Sequence, residues 1–132
     1  MDYAADFDID LQFGFIAEEG IRKILENKKL EIKFDRLANK TGNLFFEIES
    51  RGKPSGLKIT TADWFVVCID SLNMMTWFKV PELKVKLARL LNEKKAITKK
   101  GGDKNSSVGI LVNFQDLLQT EEWEIKSYKE IA

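Results

Sequence analysis

The chain contains no histidine, and its 132 residues include one cysteine, Cys68, and two prolines. The absence of histidine excludes histidine-based acid–base catalysis and histidine-containing zinc sites. A single cysteine excludes an intramolecular disulfide and cysteine-rich metal sites, and we interpret Cys68, inside an apolar run, as a core residue. No apolar run approaches the roughly 20 residues that a membrane-spanning helix needs. We therefore expect a soluble protein that makes no membrane contact.

The length and composition predict one domain over residues 1–132. A hydrophobic share of 44%, with nine phenylalanines, is enough for one core, and 132 residues are too few for two ordinary domains. Within this domain we predict an acidic N-terminal arm over 1–12 and a C-terminal tail over 120–132. The first residues lack a basic start followed by an apolar stretch, so we expect no secretory signal and a cytoplasmic location.

The net charge is zero, but the charges are unevenly distributed along the chain. Residues 1–19 carry −6 without any lysine or arginine, and residues 121–132 carry −2, so residues 20–120 carry +8. A basic body meets the requirement for phosphate contacts, although surface lysines also serve solubility alone.

Apolar spacing and turn residues predict an α/β fold, namely an α/β/α sandwich with a small central mixed β-sheet. The predicted elements are a helix over 13–27, strands over 30–37 and 43–50, a loop over 51–56, a buried strand over 64–69, a strand over 73–80, a helix over 82–92 after Pro81, a basic glycine-rich loop over 94–107, a strand over 108–112 and a helix over 114–118.

Charged and apolar residues alternate in the strands over 30–37 and 43–50. Strand side chains alternate between faces, so Glu31, Lys33 and Asp35 share one face of the first strand, and Glu47 and Glu49 share one face of the second. Four apolar residues then line the opposite, core-facing side: Ile32, Phe34, Phe46 and Ile48. Such alternation is also typical of the solvated face of an ordinary hairpin.

A hairpin that turns at residues 41 and 42 would pair Asp35 with Glu47 and Lys33 with Glu49. Directly opposed carboxylates are destabilising, so this pairing predicts a compensating cation. Mg²⁺ is the obvious candidate, because it is commonly held by one or two carboxylates, waters and phosphate oxygens.

The order of these motifs resembles the PD-(D/E)XK nuclease superfamily, and in particular its small phage-encoded and Holliday-junction-resolvase-like members. That pattern has a glutamate on the first helix, an aspartate at the end of one strand and Glu-x-Lys on the next strand. Glu18 matches the helix glutamate, with Glu19 as the alternative, while Asp35 and Glu47 match the strand carboxylates. The likeness spans residues 14–112 and includes the stretches over 41–47, 55–56 and 61–64.

This resemblance implies a restriction-endonuclease-like fold and a Mg²⁺-dependent endonuclease, with Mn²⁺ as a substitute, that hydrolyses DNA phosphodiester bonds as a homodimer. Asp35, Glu47 and the carbonyl of Ile48 would hold the metal. The family lysine position holds Glu49 instead, so either Glu49 or Lys33, predicted to lie opposite, would orient or deprotonate the attacking water. Glu18 would bind a second metal or its hydration shell. The host-cell cytoplasm is the expected location if the protein is phage-encoded. The candidate DNA contacts are Arg51, Lys53, Ser55, Lys99, Lys100 and Lys104.

Branched DNA is the substrate predicted first, with nicking or duplex cleavage as the alternative. The departure at Glu49 leaves open a catalytically inactive DNA-binding relative of the same fold. A third interpretation is a protein-interaction module whose acidic residues 2–10 occupy the basic face. The cluster Met74, Met75, Trp77 and Phe78 is a candidate dimer face.

Overall fold

The computed structural model describes residues 3–69 and 74–119, and it confirms the α/β class. The predicted tail over 120–132 lies outside these residues. The described elements are α1 (Tyr3–Leu25), β1 (Leu30–Asp35), α2 (Ala38–Thr41), β2 (Asn43–Ser50), β3 (Lys53–Pro54), a 3₁₀ turn (Gly56–Lys58), β4 (Trp64–Ile69), β5 (Met74–Lys79), α3 (Val80–Asn92), β6 (Ala96–Gly101), a second 3₁₀ turn (Asp103–Asn105), β7 (Ser107–Asn113) and α4 (Phe114–Leu118).

The strands of the described residues form two small sheets, where the sequence predicted one. The first has the order β1-β4-β5, with β1 parallel and β5 antiparallel to β4. The second is antiparallel and has the order β3-β2-β7-β6. The predicted hairpin is therefore wrong, because β1 pairs with β4 and β2 pairs with β7. Instead of a two-residue turn, the short helix α2 joins β1 to β2 and ends at Gly42, whose φ is +72°.

The core lies where the two sheets and α3 meet. Phe46 on β2 is fully buried and packs edge-on against Phe65 of β4, with ring centroids 5.5 Å apart, and against Phe78 of β5, at 6.3 Å. The helix α3 adds Leu83, Leu87 and Leu90 to the same core cluster. The two sheets therefore share one hydrophobic core despite their separate hydrogen-bond ladders.

The strand β1 is inverted relative to the prediction. Asp35 is only 7% exposed and Lys33 is half-buried, whereas Ile32 and Phe34 are 67% and 60% exposed. The prediction that Ile32 and Phe34 line the core is wrong, while the same prediction holds for Phe46. The polar face of β1 is turned inward because it contacts the backbone of β2, as shown below.

The other element predictions mostly agree with the structure. The structure confirms four strands, over 43–50, over 64–69, after residue 73 and near 108–112. It also confirms two helices, near 82–92 and 114–118. The predicted basic loop instead contains β6, which pairs with β7. The first helix begins at Tyr3 rather than at residue 13, so most of the predicted arm over 1–12 is helical. Among the described residues, no helix is both long and apolar enough to span a membrane.

Candidate functional site

Asp35 stands at the end of β1 and holds the start of α2. Its Oδ1 accepts the backbone N–H groups of Leu37 and Ala38, at 3.1 and 3.0 Å. Its Oδ2 accepts the backbone N–H of Phe45 on β2, at 3.4 Å. A short carboxylate at a helix start satisfies N–H groups that the helix itself leaves unpaired. Asp35 therefore has a structural role in joining β1, α2 and β2.

Lys33 lies two residues earlier on the same face of β1. Its ammonium donates a hydrogen bond to the carbonyl of Phe45 and lies 5.2 Å from the centroid of the Phe45 ring. Burial lowers the pKa of Lys33, and the charges of Asp35 and Glu47 oppose that shift by raising it. Lys33 thus supplies a positive charge that interacts with both carboxylates, where the sequence predicted a metal as the compensating cation.

Glu47 on β2 is held by two serine hydroxyls. Ser107 at the start of β7 donates to Oε1 at 2.7 Å, and Ser55 donates to Oε2 at 3.1 Å. The sequence indicated Ser55 as a phosphate contact, whereas here it orients a carboxylate. Ser107, only 7% exposed, was missed because only the pairing of β2 with β7 places it beside Glu47.

The backbone around Glu47 departs from regular strand geometry. The register of β2 against β7 shifts between Glu47, opposite Gly109, and Glu49, opposite Val108, which leaves Ile48 as an extra residue. Because Val108 and Gly109 are neighbours on one strand and point to opposite faces, Glu47 and Glu49 also lie on opposite faces. The predictions that they share a face and that Lys33 stands opposite Glu49 are wrong.

Glycines make room for Phe45, the residue that both Lys33 and Asp35 contact. A Cβ at Gly109 would overlap the Phe45 ring, and one at Gly101 would stand 3.1 Å from it. The ring therefore lies flat over two strands without side chains at those positions, and Lys33 lies on this side of the sheet. The prediction of a glycine-rich phosphate loop missed this packing role of Gly101.

The predicted site residues converge only in part. The charges of Lys33, Asp35 and Glu47 interact, so these three form a cluster, which we call the Lys33 cluster. Glu18 is exposed on α1, and none of its described contacts reaches the cluster. The carbonyl of Ile48, predicted to bind metal, accepts the N–H of Ser55 at 3.0 Å and keeps one lone pair.

Glu31 is a further acidic residue that the sequence analysis left without a role. It lines an open cavity of about 550 Å³ together with Gly56 and the hydroxyl-bearing Thr60 and Thr61. Gly56 packs directly on the backbone of Glu47, so this cavity opens beside the Lys33 cluster. The signal was present in the sequence, since the Glu-x-Lys order sought at residues 47–49 occurs at 31–33.

The Lys33 cluster fits a magnesium ion only if water and phosphate oxygens supply most of the ligands. Among the residues that the structure describes, no three acidic or sulfur side chains are grouped closely enough to enclose a metal. Oδ2 of Asp35 accepts one backbone N–H, and each oxygen of Glu47 accepts one hydroxyl. Both carboxylates therefore retain lone pairs that could bind a metal. Mg²⁺ bound by two carboxylates would then take its other ligands from water and phosphate oxygens.

Basic residues lie on the sheet that carries Glu47. Lys99 and Glu47 both stand opposite Gly109, so they share one face with only a glycine between them, about 10 Å apart at two strand spacings. The backbone N–H of Arg51 donates to Ser106 at 2.8 Å, which brings the β2–β3 turn, with Lys53, beside the turn that holds Lys104. By the same register, Lys100 points to the opposite face, with Glu49.

The lowered pKa of Lys33 predicts a pH-dependent stability. The unfolded chain titrates Lys33 at its ordinary value of 10.5, above the folded pKa, so the burial penalty is complete below the folded pKa and disappears as the pH rises to 10.5. Wild type should therefore gain free energy of unfolding relative to Lys33→Met over this alkaline window. Urea denaturation from pH 7 to 10.5 measures the difference, with Lys58→Met at an exposed lysine as control. If the difference in free energy of unfolding between wild type and Lys33→Met did not change with pH, the lowered pKa of Lys33 would be contradicted.

Comparisons with protein-family models, with curated proteins and with solved structures found no match for this chain. The nuclease resemblance therefore stays a prediction from the motifs.

Proposed function

We propose that the protein is a metal-dependent DNA endonuclease whose catalytic residues are Lys33, Asp35 and Glu47. The observation that carries the proposal is a half-buried lysine with a lowered pKa, beside two carboxylates that are held by backbone and hydroxyl groups. Shifted pKa values at a cleft are typical of catalytic groups, because burying a charge is otherwise costly.

Phosphodiester hydrolysis needs a hydroxide-like nucleophile and neutralisation of the charge that develops on the phosphoryl oxygens. Lys33 can supply either need, since its neutral amine takes a proton from water and its ammonium binds an anionic oxygen. Asp35 and Glu47 would hold Mg²⁺, which when bound polarises the phosphate and lowers the pKa of a bound water. Ser55 and Ser107 keep the Glu47 carboxylate in one orientation throughout.

The proposed DNA surface is the face of the second sheet that carries Glu47 and Lys99, extended by Arg51, Lys53 and Lys104. These basic side chains are exposed, and the described residues 20–69 and 74–119 carry a net charge of +9, although the whole chain is neutral. Phosphate contacts position a DNA-binding protein without reading sequence. Such contacts favour recognition of DNA shape, and we propose a four-way junction first and nicked or duplex DNA second.

The finer fold that belongs to this proposal is the restriction-endonuclease-like sandwich, with α3 as one helical layer. The proposed dimer would bring two Lys33 clusters to one DNA molecule, as cutting both strands or a junction requires. For such an enzyme we also propose a cytoplasmic location.

Cleavage of end-labelled four-way-junction, duplex and single-stranded DNA with Mg²⁺, Mn²⁺ or EDTA tests the proposed function. We expect strand scission with either metal, none in EDTA, and the fastest cutting on the junction. Binding to the same DNA molecules should be measured alongside by gel shift over a range of salt concentrations, because phosphate contacts weaken as salt rises. Uncut DNA with both metals, from a folded protein, would contradict the nuclease proposal.

A second candidate is a DNA-binding protein of the same fold without catalysis. The observation in its favour is that every carboxylate oxygen of Asp35 and Glu47 already accepts a hydrogen bond within the fold, and that the charge of Lys33 already interacts with both. A purely structural cluster would have these contacts. Salt-sensitive DNA binding without scission under any metal condition would favour this candidate.

A further inference from the structure

An apolar surface is exposed on the side of the first sheet that faces away from the core. Paired residues across β1, β4 and β5 place Val66, which is only 2% exposed, in the middle of this side. Around it lie the apolar residues of what we call the outer face: Leu30, Ile32, Phe34, Trp64, Met75 and Trp77. Ile32, Phe34 and Met75 are 67%, 60% and 61% exposed. Contiguous exposed apolar surface of this kind is typical of an interaction site.

The helix α1 has an apolar stripe that is likewise uncovered. Ile9, Phe13, Ile16 and Ile24 recur at helical spacing on one side of the helix, and they are 49%, 67%, 62% and 52% exposed. From Asp8 to Leu25, only Glu19 and Leu25 are even half-buried. A helix of this composition is stabilised mainly by packing its apolar side against another element, and the described part of the chain provides none.

The charges around the two surfaces are complementary. The first 19 residues, most of them in α1, carry −6. The basic side chains of Lys28, Lys29, Arg36 and Lys79 lie at the ends of β1 and β5, next to the outer face, and are exposed. Acidic and basic residues placed in this way favour association and fix the orientation of the contact.

Hydrogen bonds fix the junction between α1 and β1. Lys29 pairs with Asp63 in both directions, since its N–H donates to Oδ2 at 2.8 Å and its carbonyl accepts the Asp63 N–H at 2.9 Å. The N–H of Lys28 donates to the carbonyl of Leu25 at 3.2 Å. The exposure of Ile16 in the stripe and of Ile32 and Phe34 in the outer face shows that the stripe does not cover the outer face of its own chain.

We infer that the outer face is the docking site for α1 of a second copy of this chain. Two copies related by a two-fold axis would exchange their α1 helices, so that each stripe covers the outer face of the other copy and both apolar surfaces are buried at once. Exchange of an identical element is a low-cost route to a symmetric dimer. The dimer does not depend on nuclease activity, and it also gives the outer face a helical layer.

Molecular mass in solution tests the exchange, measured by light scattering after size-exclusion chromatography and by native mass spectrometry. The wild-type chain of 132 residues is expected at twice its mass of 15.2 kDa. Phe13→Glu in the stripe and Phe34→Glu in the outer face should each raise the dissociation constant of the dimer on the order of tenfold or more. Each substitution places a charge in a buried contact. Phe15→Glu, at an equally exposed phenylalanine outside the stripe, is the matched control and should remain dimeric.

Mixing the two variants separates helix exchange from other dimers. A Phe34→Glu chain keeps an intact stripe and a Phe13→Glu chain keeps an intact outer face, so the mixture should regain dimer through one of the two contacts. Circular dichroism verifies that each variant is folded. A monomeric wild type at high concentration, a dimer insensitive to Phe13→Glu, or a mixture that stays monomeric would each overturn the inference.

Discussion

Gly56→Ala is expected to destabilise the protein by about 3 kcal/mol and to disturb Glu47 with it. Gly56 begins the 3₁₀ turn after β3 and has a φ of +52°, where a side chain costs about 1–2 kcal/mol. A Cβ there would also overlap the backbone carbonyl of Glu47 and lie 3.1 Å from its Cβ. Backbone atoms of a strand have little freedom to move, so the overlap adds to the conformational cost.

Urea denaturation of Gly56→Ala and Gly52→Ala measures the two costs separately. Gly52 has a φ of +79° but open space around its Cα, so its alanine variant should lose only the conformational cost of about 1–2 kcal/mol. If Gly56→Ala were no less stable than Gly52→Ala, the close approach of the turn to Glu47 would be refuted.

Asp35→Ala is expected to lower the free energy of unfolding by about 2–4 kcal/mol. The substitution leaves the N–H groups of Leu37 and Ala38 without their acceptor and removes the bond to Phe45. It also removes one of the two carboxylates that favour the charged form of Lys33. Asp35→Asn keeps an acceptor oxygen for the start of α2 and should cost about 1 kcal/mol.

Equilibrium denaturation of the two Asp35 variants checks this order of effects. Equal stability of Asp35→Ala and wild type would contradict the structural role of the carboxylate. The expected loss also means that an inactive Asp35→Ala protein would not distinguish damaged catalysis from a damaged fold. Glu47→Gln is the better variant for activity, because an amide keeps the size of the side chain and both serine hydroxyls can rotate to bond it.

Strand alternation correctly placed Lys33 and Asp35 on one face of β1, but it did not predict the way in which they meet Glu47. Lys33 and Asp35 do share a face of β1, and the charge of Lys33 interacts with both Asp35 and Glu47. The sequence suggested a hairpin because residues 41–43 have turn character, yet Asp35 starts a helix that sends the chain into another sheet. An aspartate that bonds the first N–H groups of a four-residue helix from two residues before its N-cap gives too little local signal to be predicted from spacing.

Two other features depended on contacts that a sequence pattern does not contain. The bulge at Ile48 moves Glu49 to the opposite face from Glu47, and only the register with β7 reveals it. The inversion of β1 arises because Lys33 and Asp35 bond the backbone of Phe45, which outweighs the preference of Ile32 and Phe34 for the interior. By contrast, the uninterrupted apolar run over 64–69 predicted a central strand, and β4 lies between β1 and β5.

The most direct measurement for the central claim is the single-turnover rate of Mg²⁺-dependent DNA cleavage by wild type and Glu47→Gln at saturating DNA. The proposed catalytic role of the Lys33 cluster predicts a loss on the order of a hundredfold or more in Glu47→Gln. Glu82→Gln, at an exposed glutamate in the first turn of α3, should cut at the wild-type rate. Equal rates for wild type and a folded Glu47→Gln protein would contradict a catalytic site at the Lys33 cluster.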